Sequence, residues 1–336
     1  MNKRAAFNII NIKFIFFSPC GLTSWRENIM KKRSILALAM SVLMIGAAFT
    51  GCGSNTDNAG SAAGADNGSS SASVAGRTVD EIKADGTIRI GVFSDKAPFG
   101  YVDENGKYAG YDVYFAERLA QDLGVKVEYV STDPASRVEF VETGKVDVVL
   151  ANFTVTEERA QKVDFCLPYM KVALGIVSPE SAEITDPEQL NGKKLIVCKG
   201  TTAETYFAEN YPDIELVKYD QYADAYNALL DGRGDALSTD NTEVLAWAIS
   251  NPGFTVGVES LGQIDTIAPA VAKGNTSLLE WINGEIESLA GENFFHKDYE
   301  ETLAPVYGDA ADPEALVVEG GKVDAEPAGD TESSAQ

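Results

Sequence analysis

Leu150-Ala151-Asn152-Phe153-Thr154-Val155-Thr156-Glu157-Glu158-Arg159 is the stretch on which the fold turns. In front of it, Val146-Asp147-Val148-Val149-Leu150, opened by Gly144-Lys145, is a short apolar run that reads as a buried strand. Behind it, Thr156 is a good helix N-cap, and Glu157 and Glu158 suit the positive end of a helix dipole. Arg159 then falls in the first helical turn, where a cation is disfavoured by about 0.3–1 kcal/mol unless an anion is near. Strand-end amides, a helix N-terminus and a planar two-pronged cation together make a receptor for a carboxylate. On this stretch alone the simpler reading still stands: a solvated helix start whose Glu and Arg side chains pair locally.

Outward from that stretch the chain alternates strand and helix. Thr87-Ile88-Arg89-Ile90-Gly91-Val92 is strand-like, and Tyr111 to Leu123 carries Val113, Ala116, Leu119, Ala120 and Leu123 at helical spacing, with Gly124 as the stop. Val125 to Val130 alternates as a strand, Pro134 opens a second helix, and the Val146–Leu150 strand completes a βαβαβ order. The same order recurs downstream through strands at Lys194–Cys198, Ile214–Tyr219 and Asp235–Thr239, with helices at Ala203–Asn210 and Gln221–Leu230. Gly144-Lys145-Val146-Asp147 and Gly232-Arg233-Gly234-Asp235 fall at corresponding places. The pattern predicts an α/β protein of two lobes: 78–177 with 268–307 as the first, 178–267 as the second, and chain crossings near Ile176–Pro179 and Gln263–Ile267 as a hinge. The helices Ser277–Ala290 and Phe294–Ala304 are expected to pack back on the first lobe, and 308–336 reads as an acidic flexible tail.

The chain has 336 residues, with 27 Lys and Arg against 51 Asp and Glu, a formal charge of -24. That acidity argues against nucleic acid as a partner, since phosphate binding needs a basic patch. One His and four Cys argue against a structural metal site or a disulfide scaffold, and no cofactor is implied. Met30-Lys31-Lys32-Arg33, an apolar run from Ile35 to Ala48 and then Phe49-Thr50-Gly51-Cys52 read as an export signal, with Met30 as the true start. The small residues ending in Gly51-Cys52 resemble a bacterial lipobox, which makes Cys52 the lipidated N-terminus of the mature protein; Phe49 departs from the usual Leu. Residues 1–52 are thus the export segment, and 53–77, rich in Gly, Ser, Ala, Asn and Asp, a disordered tether.

In open α/β sheets ligands bind beyond the carboxyl ends of the strands. Three loops meet that condition here: Ala151 to Thr154 in one lobe, and Lys199 to Thr202 and Asp240 in the other, so the expected site is a cleft between lobes. A free α-amino acid fits such a cleft, because it brings a carboxylate and an ammonium that must both be satisfied away from water. Arg159, with backbone donors around Asn152–Thr154 and Thr202, is the candidate for the carboxylate, and Asp240 for the ammonium. Asp240 is also a plain N-cap candidate for the helix from Asn241. Phe99, after Pro98, could wall the pocket or simply lie in the core. Arg137 could meet a ligand side chain, or pair with Glu139 or Glu142 on the surface. Cys166 and Cys198 are expected to be free, buried thiols.

At these residues the chain resembles the polar amino-acid-binding family of extracytoplasmic solute-binding proteins of ABC transporters, over Ile82 to about Lys322. The resemblance rests on Gly110-Tyr111-Asp112-Val113 and on Phe153 to Arg159. It implies the two-lobed type II periplasmic-binding-protein fold, with two α/β lobes joined by a two-strand hinge and closing on an amino acid. It places Arg159, Asn152, Thr154 and Thr202, with Thr201 beside it, at the ligand carboxylate and Asp240 at the ammonium. Val163-Asp164-Phe165-Cys166, Pro168 to Gly175, Lys199-Gly200-Thr201-Thr202-Ala203, Arg233 to Ser238 and Phe294-Phe295-His296-Lys297 are similar, within that family, to cysteine-binding lipoproteins typified by a Campylobacter surface antigen. The implied protein is no enzyme: a monomeric lipoprotein outside the cytoplasm, tethered to the membrane, that captures an L-amino acid, cysteine foremost, for the transmembrane subunits of an ABC permease. Aspartate or glutamate, with Arg137 on the side-chain carboxylate, is the rival ligand. A cleft hydrolase or dehydratase is the rival of another class, and the only His, His296, lies away from the strand-end loops.

Overall fold

The computed structural model describes residues 76–323; the export segment, Cys52, nearly all of the tether and the last residues of the tail lie outside the described residues. In chain order the strands are β1 (Thr87–Val92), β2 (Asp95–Lys96), β3 (Gly100–Val102), β4 (Tyr108–Ala109), β5 (Lys126–Ser131), β6 (Val148–Val149) and β7 (Val163–Phe165). They continue as β8 (Met170–Pro179), β9 (Lys194–Cys198), β10 (Glu215–Tyr219), β11 (Ala236–Asp240), β12 (Phe254–Ile267) and β13 (Ala270–Ala272). They form a five-stranded sheet ordered β5-β1-β6-β13-β7, a second five-stranded sheet ordered β10-β9-β11-β8-β12, and a small sheet β2-β3-β4.

Alternation explains the first sheet. Ile88, Ile90 and Val92 of β1 are fully buried, and β1 runs parallel to both β5 and β6. The helix Tyr111–Leu123 covers it with Phe115, Ala116, Leu119 and Leu123, and ends where Gly124 turns left-handed (φ 74) and returns its N–H to Ala120. Ile282, Ile286, Leu289 and Phe295 of the late helices join the same core. Each such buried side chain stabilises the lobe by about 1.5–3 kcal/mol relative to exposure.

The second sheet repeats the arrangement with β9 parallel to β10 and β11, then adds the antiparallel pair β8 and β12. All of β8 pairs in this sheet, so the first passage between lobes falls before Met170 and not near Ile176–Pro179. The continuous apolar run Val172–Val177 is buried on both faces and carries no mark of which sheet owns it. The second passage, Ile267 to Ala270, lies beside the first: Tyr169 N–H donates to Ile267 O at 3.0 Å and Cys166 N–H to Pro269 O at 2.8 Å. The stretch from 308 to 323, acidic enough to read as a tail, is packed instead: Val317 and Val318 are buried, and Val317 bridges Met170. His296 adds a clamp, its Nδ1 3.0 Å from Glu319 Oε1.

The apolar core is continuous across the cleft. Phe93, Val149 and Phe153 of the first lobe share a cluster with Ile196, Cys198 and Tyr222 of the second, and the Phe93 and Tyr222 rings meet edge to face at 5.4 Å.

Candidate ligand-binding site between the lobes

Asn152 stands at the centre of the site in a left-handed conformation (φ 45), which Asn tolerates better than most residues. Its amide N–H donates to Asp112 Oδ2 at 2.8 Å, so the donor expected for a ligand carboxylate is already engaged. The other Asp112 oxygen accepts the Tyr169 hydroxyl at 2.5 Å. Burial lifts the Asp112 carboxyl to about 6, with the Tyr169 and Asn152 hydrogen bonds opposing it. The Asn152 side chain crosses the cleft and donates to Asp240 Oδ2 at 3.2 Å, while its buried Oδ1 has no protein partner.

Arg159 begins as the sequence reading has it. Thr156 caps the short helix Glu157–Ala160 by accepting the Arg159 N–H. Its guanidinium, however, does not pair with Glu157 or Glu158. It donates to Thr154 O at 2.7 Å and to Gly200 O of the opposite lobe at 2.9 Å, 4.8 Å from the Phe153 ring centroid. Thr154 itself is buried and bridges Ile267.

Arg137 is 3% exposed, so surface pairing with Glu139 or Glu142 does not occur. It donates to Pro134 O, Ala151 O, Asn152 O and Gly200 O at 3.1, 3.0, 3.1 and 3.4 Å. Phe153 and Phe93 flank it at 4.5 and 5.5 Å. Two guanidinium groups thus share one ring and one carbonyl, and among the described residues no carboxylate bonds to either. Burial pushes both below the usual arginine range, Arg159 to about 9 with Arg137 adding to the push, yet both stay cationic at neutral pH. An anion placed here would relieve both.

Gly200 makes the interlobe contact possible. It has φ 73, and a Cβ there would lie 2.6 Å from the Ala135 Cα, so any larger residue would force the loop after β9 away. The buried Thr201 is occupied as a cap: its hydroxyl accepts the Glu204 N–H and donates to Cys198 O at 2.7 Å. Thr202 opens the helix Thr202–Asn210 and borders a cleft of about 480 Å³ together with Phe153, Arg159, Gly200 and Tyr206. Amides of such a first turn have no partner within the helix.

Asp240 ends β11 in front of the helix Asn241–Ser250, and its side chain makes no cap bond. Besides Asn152, its carboxylate meets Lys96 Nζ at 3.2 Å. Lys96, on β2 of the first lobe, is 1% exposed and also reaches Glu243 Oε2 at 3.0 Å and the Tyr222 hydroxyl at 3.3 Å. The rings of Phe93, Phe99 and Tyr222 surround it at 5.4, 5.7 and 4.6 Å. Phe99 therefore serves both the first core and the wall of this box. Burial pushes the Lys96 ammonium down, and Glu243, Tyr222 and Asp240 more than reverse it.

Lys96, Phe93, Tyr222 and Glu243 escape a reading of the sequence alone. One signal was available: Asp240 and Glu243 stand one turn apart at the start of a helix that is apolar from Val244 to Ile249, a spacing that aims two carboxylates one way. Cys166 and Cys198 are free, buried thiols, their ionisation pushed up by burial. Among the described residues no group of His, Cys, Asp and Glu could hold a metal, and no helix is long and apolar enough to cross a membrane.

The comparisons agree with this architecture. A solute receptor for L-cysteine from Neisseria gonorrhoeae is 54% identical, covering 72% of this chain and 100% of its own, with a TM-score of 0.71. The cysteine-binding protein of Campylobacter jejuni is 51% identical over 72% of this chain and 98% of its own, also with a TM-score of 0.71. The ABC transporter glutamine-binding protein of Bacillus subtilis is 28% identical over 282 residues, 82% of this chain and 98% of its own length. All three are binding proteins. Their two-lobed fold is the one built here around Asn152 and Asp240, and residues 88–301 match the family model itself, so the chain belongs to the bacterial extracellular solute-binding proteins, family 3.

Proposed function

We propose that this protein captures L-cysteine between its lobes and delivers it to the transmembrane subunits of an ABC importer. The observation that carries the ligand assignment is the 54% identity to a receptor for L-cysteine along that protein's whole length. The chemistry of the cleft supports it. Arg159, which has no carboxylate partner among the described residues, with Thr202 beside it, takes the ligand carboxylate, and Asp240 takes the ammonium on Oδ1, since Lys96 and Asn152 both hold Oδ2. Asn152 and Thr154 shape this anion site from behind rather than donating to it: one spends its N–H on Asp112, the other lends its carbonyl to Arg159. Arg137 is held by four carbonyl oxygens and by no carboxylate, so the choice of cysteine over aspartate or glutamate rests on that identity.

In this reading the protein is a monomer outside the cytoplasm, held to the membrane by lipid on Cys52, and its lobes close by bending at the paired passages around Phe165–Met170 and Ile267–Ala270. A thermal-shift screen of the full chain against the standard amino acids under reducing conditions tests it. A ligand present at a hundred times its dissociation constant adds about 2.7 kcal/mol of stability, so cysteine should give the largest shift. No shift with any amino acid would refute the reading.

A further inference from the structure

Lys96 is a cation the ligand chemistry does not require, yet it is among the most thoroughly enclosed polar groups of the molecule. The β2 segment that carries it docks on the second lobe: Asp95 Oδ2 accepts the Ala223 N–H at 3.0 Å, and the Lys96 side chain continues into the space between the lobes. There its ammonium lies 3.2 Å from Asp240 and 3.0 Å from Glu243, inside three aromatic rings. Aromatic faces with carboxylates behind them are the general means of holding an organic cation. In this chain the protein supplies the cation itself. A buried ion pair broken by loss of one partner leaves an uncompensated charge at a large cost, so nothing in this cluster favours Lys96 leaving.

We propose that Lys96 is a specificity-determining residue: it fills a cation-binding box beside Asp240 with the protein's own ammonium, and thereby rejects amino acids with cationic side chains such as arginine and lysine. The inference rests on the amino-acid reading above, though not on cysteine in particular. An arginine or lysine side chain reaching this end of the cleft meets Lys96 where two carboxylates would otherwise receive it, and finds Arg137 and Arg159 on the Asn152 side. An uncharged side chain meets neither penalty. Specificity here comes from a built-in repulsive element as well as from attraction.

The test is equilibrium competition on the full chain under reducing conditions, with L-cysteine, L-serine, L-arginine and L-lysine each titrated against the best-binding neutral amino acid. The readout is the ratio of affinities, neutral over cationic. Wild type should prefer the neutral ligand by at least a hundredfold. Lys96→Ala, which empties the box, should lower that ratio at least tenfold. Lys96→Met, which keeps the stem and removes the charge, should lower it as well and decides the matter if Lys96→Ala does not fold. Lys96→Arg should keep the ratio near wild type, which a merely structural role for the stem would not explain. A folded Lys96→Ala or Lys96→Met with an unchanged ratio overturns the inference, as does a wild type that binds L-arginine as tightly as any neutral amino acid. If wild type instead prefers serine or another neutral amino acid, the cysteine assignment falls while this inference is still decided by the ratio. A wild type that binds none of them overturns both.

Discussion

Replacing Arg159 by Ala separates a ligand-binding cation from a helix-start charge. The guanidinium makes bonds of 2.7 and 2.9 Å to Thr154 O and Gly200 O, at a partly buried position. Its removal also relieves the repulsion from Arg137 that helps push it down to about 9. These effects oppose each other, so without ligand the variant should lose no more than about 1 kcal/mol, the centre of the range for single substitutions. Ligand binding should respond very differently. Leaving a buried charge without its partner costs about 3–5 kcal/mol, and the partly buried setting argues for the lower end. At about 1.4 kcal/mol per tenfold, affinity should fall about a hundredfold or more. Calorimetry with L-cysteine under reducing conditions, beside a thermal melt of the same unliganded sample, measures both. A folded variant within threefold of wild-type affinity would return Arg159 to the role of a helix-start charge.

Two further outcomes follow from other parts of the molecule. Asp112 is held at about 6 in the folded protein against an ordinary value of 3.8, so the fold favours its neutral form. That contribution is present below about pH 4 and is lost as pH rises through about 6, by proton linkage. Denaturant unfolding should therefore show wild type losing stability relative to Asp112→Asn between pH 4 and pH 7, and a difference independent of pH would contradict the assignment. Cys52→Ser should leave the protein as an uncleaved precursor or release it from membranes in cell fractionation; normal processing and unchanged membrane association would count against lipidation at that residue.

Where periodicity and chemistry coincide, the fold was legible in the sequence. Thr87–Val92, Tyr111–Leu123 and Lys194–Cys198 have the bounds their hydrophobic pattern and glycine stops predict. The ownership of β8 was not legible, because a run buried on both faces looks alike in either sheet. Nor was the packing of 308–323, where Val317 and Val318 anchor a segment whose composition is that of a solvated tail. In the site, Arg159 and Asp240 announced themselves by charge at unusual places. Lys96 did not, since a lysine in a turn-rich segment is ordinarily exposed, and only the meeting of β2 with the second lobe shows that its ammonium is enclosed. Asn152 follows the strand as the pattern has it, but its N–H goes to Asp112, a pairing across 40 positions that no local pattern encodes.

The most direct test of the account is competition for the cleft of the wild-type chain under reducing conditions, with L-serine and L-glutamate displacing bound L-cysteine. Serine keeps both charged poles of the ligand and changes only thiol to hydroxyl, so it should displace cysteine at modestly higher concentration. Glutamate adds a second carboxylate for which Arg137, held only by carbonyl oxygens, is the available cation; on the cysteine assignment, which rests on the identity to the L-cysteine receptor, it should fail at concentrations where serine succeeds. Displacement by glutamate at a concentration equal to that of cysteine would contradict the cysteine assignment and put Arg137 on the ligand.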